Sequence, residues 1–369
     1  MSCTRTFGEE SEDLGGFEVA ISSGGATAVL GGVGAFLALD LAGITRLRSI
    51  GGVSGGAIVS SLKAAGLSTT RLLHLGLDTE FGEHLSIERG FLGSARVLNA
   101  FKHNDKYAAS HDGKHPSWPI TGIYGSDGLG AYIERNVREL GNCNGAWPET
   151  YWTMATTKNG SQVFFNKDGV FLFKQDGEMV QLSHEPVPLQ TAVRFSCTIP
   201  GIMAALQFQD IFMFDGALSR DGLCPIGVLI RSFGADPRKI IACRIGEDNL
   251  RPVSGRLHKL ARRVWRVHPE FHWGPETAGV IEFRPQIEHV HSLKFALSRD
   301  EKWFAILVSL DAALSRLAME GILTGSRLAE AREIFERIGY WRDAVPAPIG
   351  SPQLLSNRVE RCLNEHGLF

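Results

Sequence analysis

The stretch LRSIGGVSGGAIVSSLKA, Leu47 to Ala64, decides the reading of this 369-residue chain. Ile50 closes a short run that reads as a buried strand, and Ala57, Ile58 and Leu62 then recur at helical spacing. Four glycines and Ser54 lie where one period gives way to the other. Gly52-Val53-Ser54-Gly55-Gly56 fits G-x-S-x-G, the pattern of a serine riding a sharp strand-to-helix turn. Such a turn crowds the backbone, so Gly52, Gly55 and Gly56 fit where a Cβ would not. The helix that follows aims its N-terminus, with free N–H groups and the positive end of its dipole, at Ser54. With 42 glycines in the chain the pattern alone is weak, and its place between strand and helix carries the weight. A Gly/Ser turn with no chemistry is the alternative at this stage.

Upstream, Phe17 to Ile21 (FEVAI) reads as a strand, and Ser22-Ser23-Gly24-Gly25 turns out of it. Ala28 to Ala42 reads as a buried helix tolerant of close packing through Gly31, Gly32 and Gly34, with Gly43 as its C-cap. The order strand, glycine loop, helix, strand, serine turn, helix is the start of an α/β layer on a parallel sheet. Residues 1–15 are polar and expected to fray.

Composition is that of a globular protein, 44% hydrophobic and 21% charged, long enough for a large core. A net charge of −2 gives no global drive toward nucleic acid or anionic membranes, and no nucleic-acid partner is expected. The six cysteines are widely spaced without C-x-x-C, which fits reduced thiols and a cytoplasmic setting rather than a zinc site. The N-terminus lacks the basic-then-apolar order of a signal peptide, and the longest apolar run, Ala28 to Leu39, is too short to span a membrane.

Downstream, residues 69–101 read as helix, and Lys102 to Pro119 as a long polar loop holding His103, His111 and His115. A helix over Leu129 to Leu140 precedes strands at Tyr151–Thr156, Val163–Phe165 and Val170–Phe173, with turns at Asn159-Gly160 and Asp168-Gly169. Leu189 to Ser196 is helical. Leu206 to Phe214 (LQFQDIFMF) reads as one strand delivering Asp215-Gly216-Ala217, and Ile240–Ile245 and Val280–Phe283 as two more. Helices over 297–318, 326–339 and 353–366 finish the chain, the last set off by the linker-like Ala344 to Pro352.

A serine nucleophile needs a base and donors for the developing oxyanion. Asp215, at the end of an apolar strand and before Gly216, is the candidate base; a plain Asx turn is the alternative. Ser22 to Ala26 is the candidate oxyanion loop, since a glycine-rich strand-to-helix turn exposes adjacent N–H groups. A nucleotide site is disfavoured, because neither G-x-G-x-x-G nor G-x-x-x-x-G-K-[ST] can be read in residues 23–34.

Taken together, the glycine loop and helix at 17–43, the turn at Ser54, the R-F-S-C-T-I-P-G run at Arg194–Gly201 and the D-G-A of Asp215–Ala217 resemble the patatin-like phospholipases. The loop S-S-G-G-A-T-A-V-L-G-G is also similar to that of cytosolic phospholipases and fungal lysophospholipases. The resemblance covers roughly residues 16–320. It implies a three-layer α/β fold, with a mainly parallel central sheet flanked by helices, and a C-terminal helical extension over 321–369. It further implies acyl hydrolysis of lipid esters by a serine–aspartate pair through an acyl-enzyme, with no cofactor or metal. Ser54 would be the nucleophile and Asp215 the base, with the amides of Gly24, Gly25 and Ala26 as the oxyanion hole.

Two departures stand out: Ser23 replaces one of three consecutive glycines, and Thr27 falls where an arginine is expected, with Arg194 the candidate to replace it in space. They motivate a second reading, a catalytically silent lipid-binding or scaffold protein. A third is a general esterase whose triad draws on His289 or His291. Arg256 to His268 (RLHKLARRVWRVH) sets Leu257, Leu260, Val264 and Val267 beside a face of Arg256, Lys259, Arg263 and Arg266. That pattern suits peripheral membrane contact, though a solvated surface helix is the simpler reading.

Overall fold

The computed structural model describes residues 16–84, 86–87, 122, 124–140, 147–174, 178–219, 222–245, 274–287, 290, 294, 296–338 and 353–367. Strand β1 (Phe17–Ile21), helix α1 (Gly25–Leu41), strand β2 (Leu47–Gly52) and helix α2 (Gly55–Ala64) follow in the anticipated order, with β1 and β2 parallel. Helix α1 begins at Gly25 rather than Ala28, because Gly24 is its N-cap without any side-chain cap that sequence could reveal. It ends as expected: Gly43 takes φ 76° and the Ile44 amide closes on the Leu39 carbonyl at 2.8 Å.

Helix α3 (Thr69–Asp78) is shorter than the expected 69–101. Thr79 is extended, and the buried Lys302 ammonium takes the carbonyls of Leu77 and Thr79 at 2.8 and 3.0 Å, closing the helix there. Strands β3 (Ser86–Ile87) and β4 (Tyr124–Gly125) form a small separate sheet, and helix α4 (Asp127–Leu140) follows. Strands β5 (Tyr151–Thr157), β6 (Gln162–Asn166), β7 (Gly169–Phe173) and β8 (Met179–Ser183) then run as an antiparallel meander, of which only β8 was not expected. Helix α5 (Leu189–Ser196) leads to β9 (Leu206–Phe208) and β10 (Ile211–Asp215). The single strand expected over 206–214 is thus a hairpin. Gln209, with φ 51°, turns the chain between two apolar strands at a Gln209-Asp210 pair that carries no glycine or proline.

Helix α6 (Ile226–Phe233), unexpected from sequence, precedes β11 (Ile240–Cys243) and β12 (Ile281–Phe283). Helices α7 (Arg299–Met319), α8 (Gly325–Ile338) and α9 (Gln353–Glu365) complete the described chain. The N-terminal 1–15, the polar segment 102–119 with its three histidines, the basic segment 256–268, His289, His291 and the stretch 344–352 lie outside the described residues.

The central sheet has the order β12-β11-β1-β2-β5-β6-β7-β8, parallel from β12 to β5. It is the largely parallel sheet flanked by helices that the resemblance implied. Val19, Ile21, Ile241 and Cys243 face a core shared with α1 and α7; Ala20, Ile240 and Ala242 face a second core with Trp152, Phe164 and α6. A Cβ on Gly34 would stand 2.3 Å from the Ile306 carbonyl, so α1 and α7 pack closer than any side chain at 34 permits. Ile334, Ile338, Val359 and Leu363 of α8 and α9 join the first core.

One detail of register places the site. On one edge of β5, Ile50, Gly51 and Gly52 of β2 pair with Tyr151, Trp152 and Thr153. The other edge is filled by β6, which covers Trp152 through Thr156. Strand β10 therefore lies on the edge that β2 occupies, beyond its end, with Asp215 opposite Ala155. It is antiparallel to β5, so it runs toward the end of β2. The two strands point at each other end to end, and the residues that follow Gly52 meet the residue that ends β10.

Candidate active site

Ser54 stands at the N-cap of α2 with φ 55° and ψ −123°, one of two described non-glycine residues with positive φ. That conformation costs an L residue roughly 1–3 kcal/mol, and it clusters at functional sites. Serine at an N-cap ordinarily spends its hydroxyl on the helix, as Ser68 and Ser298 do here. Ser54 makes no cap hydrogen bond; its hydroxyl instead lies beside the Asp215 carboxyl, near enough to favour the charged form. Both residues are nearly inaccessible, at 4% and 3% exposure.

The glycines around Ser54 are demanded by backbone from the neighbouring loop. A Cβ at Gly55 would lie 2.0 Å from the Gly25 carbonyl oxygen, and one at Gly56 would lie 2.5 Å from that of Ile21. At Gly52 it would lie 2.6 Å from the Gly56 carbonyl group. The start of α2 is therefore seated on the start of α1. Two helix N-termini converge beside Ser54, and both favour negative charge there.

The loop from Ser22 to Ala26 is fixed at both ends. Ser22 Oγ donates to the Ile245 carbonyl at 2.9 Å and accepts from the Ile245 amide at 2.7 Å, and the Ser23 amide donates to the Leu223 carbonyl at 2.8 Å. Gly24 and Gly25 take φ 157° and 55°, conformations open to glycine. The Gly24 carbonyl accepts from Thr27 Oγ1 at 2.6 Å and from the Ala28 amide at 3.3 Å, so it points into the helix. In a trans peptide the N–H points the opposite way, so the Gly25 amide faces out of the helix start. Among the described residues the amides of Gly25 and Ala26 donate to no backbone carbonyl outside the helix, as first-turn donors do.

Asp215 ends β10, and its Oδ1 accepts from the Ala217 amide at 2.9 Å. The Asx-turn alternative is therefore present in the structure, alongside the contact to Ser54. Burial pushes the Asp215 carboxyl up to about 7, against the lowering pull of the Ser54 hydroxyl and the Ala217 amide. Among the described residues no histidine figures among those influences. Gly216 is closed in by the Met154 carbonyl, 2.3 Å from where its Cβ would be, and its own carbonyl accepts from Thr156 and Ser219. A carboxyl that titrates near neutrality beside a serine hydroxyl can take a proton from it and return one.

The run Arg194–Gly201 carried the resemblance in the sequence, yet nothing there gave most of its members a part. Three consecutive residues of it hold the site. Ser196 Oγ accepts from the Ser54 amide at 2.9 Å and donates to the Met154 carbonyl at 2.7 Å. Cys197 Sγ donates to the Ser54 carbonyl at 3.2 Å, and the Thr198 carbonyl accepts the Asp215 amide at 2.7 Å. Burial and the neighbouring Asp215 push the Cys197 thiol well up, which keeps it protonated. The Arg194 guanidinium bonds to Ser126 Oγ at 3.0 Å and to the Asp127 carboxylate, at the start of α4. Thus Ser54, Asp215, Gly24, Gly25, Ala26, Gly52, Gly55, Gly56, Gly216 and Ala217 come together as one region, while Arg194 is engaged at a helix start of its own. Among the described residues no group of His, Cys, Asp or Glu is placed to hold a metal ion.

A family model described as patatin-like phospholipase matches residues 19–230, more than half of the chain. No curated protein sequence matches it. Among solved structures, VipD from Legionella pneumophila is 12% identical with a TM-score of 0.38, over 96% of this chain and 81% of that one. Human GIVD cytosolic phospholipase A2, solved with methyl gamma-linolenyl fluorophosphonate, is 13% identical with a TM-score of 0.41. The match takes in 89% of this chain and 61% of the human one, so the chain spans about three-fifths of that enzyme's length. The type III effector protein ExoU is 11% identical with a TM-score of 0.39, over 94% and 68% of the two chains.

Proposed function

The chain belongs to the patatin-like phospholipase family, a family of lipid-ester hydrolases, and on that footing we propose that it cleaves acyl esters of membrane lipids with Ser54 as nucleophile and Asp215 as its base. The observation that supports this most is the buried contact between the Ser54 side chain and the Asp215 carboxyl at the start of two helices. Ser54 Oγ attacks the ester carbonyl as Asp215 takes its proton. The oxyanion forms against the outward amides of the Gly24–Ala26 loop, and the protonated Asp215 delivers the proton to the leaving alcohol. Water, deprotonated by the same carboxylate, then releases the fatty acid.

A carboxylate is a weak base for a serine hydroxyl. Burial raises Asp215 toward neutrality and the converging helix starts favour the alkoxide, and both effects narrow that gap. Ser54→Ala and Asp215→Asn each abolish ester hydrolysis while leaving the protein folded; activity retained by either variant removes that residue from the mechanism. A fluorophosphonate probe mapped by mass spectrometry labels Ser54 if the serine is activated, and a silent scaffold takes no label. The substrate class is tested by fatty-acid release from a panel of phospholipids, lysophospholipids and galactolipids beside Ser54→Ala. Among the described residues no helix is long and apolar enough to cross a membrane. Contact with a lipid surface is proposed for the basic segment 256–268 on its sequence pattern. Reversing Arg263 and Arg266 then weakens sedimentation with anionic vesicles.

A further inference from the structure

We propose that Ser196 is a positioning residue for the hydrolysis: its hydroxyl holds the Ser54 peptide in the turned conformation that brings Oγ to Asp215. This role rests on the reading of Ser54 as nucleophile and Asp215 as base. Ser54 is held at φ 55°, where an L residue does not stay unless its surroundings fix it. What fixes the N–H of that residue is Ser196 Oγ at 2.9 Å. The same hydroxyl donates to the Met154 carbonyl at 2.7 Å, so one side-chain oxygen serves as both acceptor and donor in a buried place.

Met154 adds direction to the contact. It lies on β5 beside Ala155, the residue that pairs with Asp215, and its carbonyl backs Gly216. Ser196 therefore ties the serine turn to the strand that carries the aspartate. The next two residues complete the hold, the Cys197 thiol on the Ser54 carbonyl and the Thr198 carbonyl on the Asp215 amide. Truncating Ser196 orphans a buried N–H and a buried C=O at once. The Ser54 peptide is then free to rotate out of the left-handed region, and Oγ swings off the carboxyl. No lipid needs to touch Ser196, so its effect falls on turnover rather than on substrate affinity.

The test compares Ser196→Ala, Ser196→Thr and Ser196→Val in the full chain, using a soluble p-nitrophenyl ester and a fluorophosphonate probe. Ser196→Ala lowers kcat by roughly ten- to a hundredfold with KM within about twofold, and slows labelling of Ser54 in parallel. Thr and Val fill the same added volume, so Thr outperforming Val by about tenfold assigns the difference to the hydroxyl, even where Ala disturbs folding. The pH midpoint of kcat/KM is the second readout. Asp215 faces the Ser54 hydroxyl, the Ala217 amide and the Cys197 thiol, and losing the first of these moves the midpoint upward in Ser196→Ala. Wild-type protein that hydrolyses the ester and labels at Ser54, beside a folded Ser196→Ala that equals it in kcat and midpoint, overturns the role of Ser196 alone. Wild-type protein that neither hydrolyses nor labels overturns the Ser54–Asp215 reading, and the role of Ser196 with it.

Discussion

Thr27 Oγ1 donates to the carbonyl of Gly24 at 2.6 Å, so the side chain that departs from the family's arginine is the one that orients the loop peptide. Thr27 is fully buried, where a hydroxyl hydrogen bond is not exchanged for one to water. Thr27→Val keeps its shape and removes the hold. The expected outcome is a fall in kcat of about tenfold with little change in KM, and stability lowered by about 1 kcal/mol for one lost hydrogen bond. Thr27→Ser restores most of the rate. Steady-state kinetics on the three proteins check it; equal kcat in Thr27→Val would falsify the role given to that peptide.

Asp215 makes activity and stability run in opposite directions with pH. As a base it must be ionised, so kcat/KM rises through a midpoint near 7 and falls off on the acid side. Its folded pKa lies above the usual 3.8, so the native state binds more protons than the unfolded chain between about 4 and 7. Stability from this group is therefore fully present below pH 4 and is lost as pH rises through 7, by at most about 1.4 kcal/mol for every pH step of one across that window. Asp215→Asn carries no such charge, and so melts higher than wild type at pH 8, by a margin that shrinks toward pH 3.5. Differential scanning calorimetry at the two pH values reads the difference.

Gly55→Ala tests the seating of one helix start on the other. The new Cβ would lie 2.0 Å from the Gly25 oxygen, a contact that only backbone movement relieves. Strain of this kind costs typically about 1–3 kcal/mol, and the loop that must yield is the one facing Ser54. Activity should fall by more than about a hundredfold, well beyond the loss in melting temperature. Gly76→Ala, at a helical glycine whose Cβ would meet only Leu30 at 3.4 Å and Val33 at 3.7 Å, leaves activity untouched.

Gln209 is the other described residue outside glycine with positive φ, at the turn of the β9–β10 hairpin. Asparagine accepts that conformation more readily, and unlike glycine it adds no backbone freedom to the unfolded chain. Gln209→Asn is expected to stabilise the protein by about 0.5 kcal/mol with kcat unchanged, because the turn lies at the far end of β10 from Asp215. Urea denaturation beside an ester assay decides it.

Much of this arrangement was legible in the residues themselves. The apolar runs of β1 and α1 and the glycines around Ser54 follow from simple periodicity and crowding, and the structure seats each where those rules put it. The hairpin over 206–215 was not legible, because the Gln209-Asp210 turn lacks glycine and proline and the apolar residues on either side of it read as one run. Helix α6 was missed although Pro225 and a left-handed Gly234 bracket it, since its eight apolar-rich residues fit a strand equally well. Ser196 could not be found at all. Its partner is a backbone amide 142 residues away, and main-chain groups carry no letter in a sequence.

The end-to-end meeting of β2 and β10 along one edge of β5 reaches beyond this one chain. A single strand sets where the ends of β2 and β10 meet, so the proposed Ser54–Asp215 pair takes its spacing from β5 and the Ser196–Thr198 run rather than from the loops beyond them. Insertions between Ala64 and Tyr151, or between Thr157 and Leu189, clear of the Ser54 turn and of the Ser196–Thr198 run, then alter what surrounds the bond to be broken and leave the proposed pair in place. New substrate preferences can therefore be grafted onto such a scaffold while its chemistry is inherited whole.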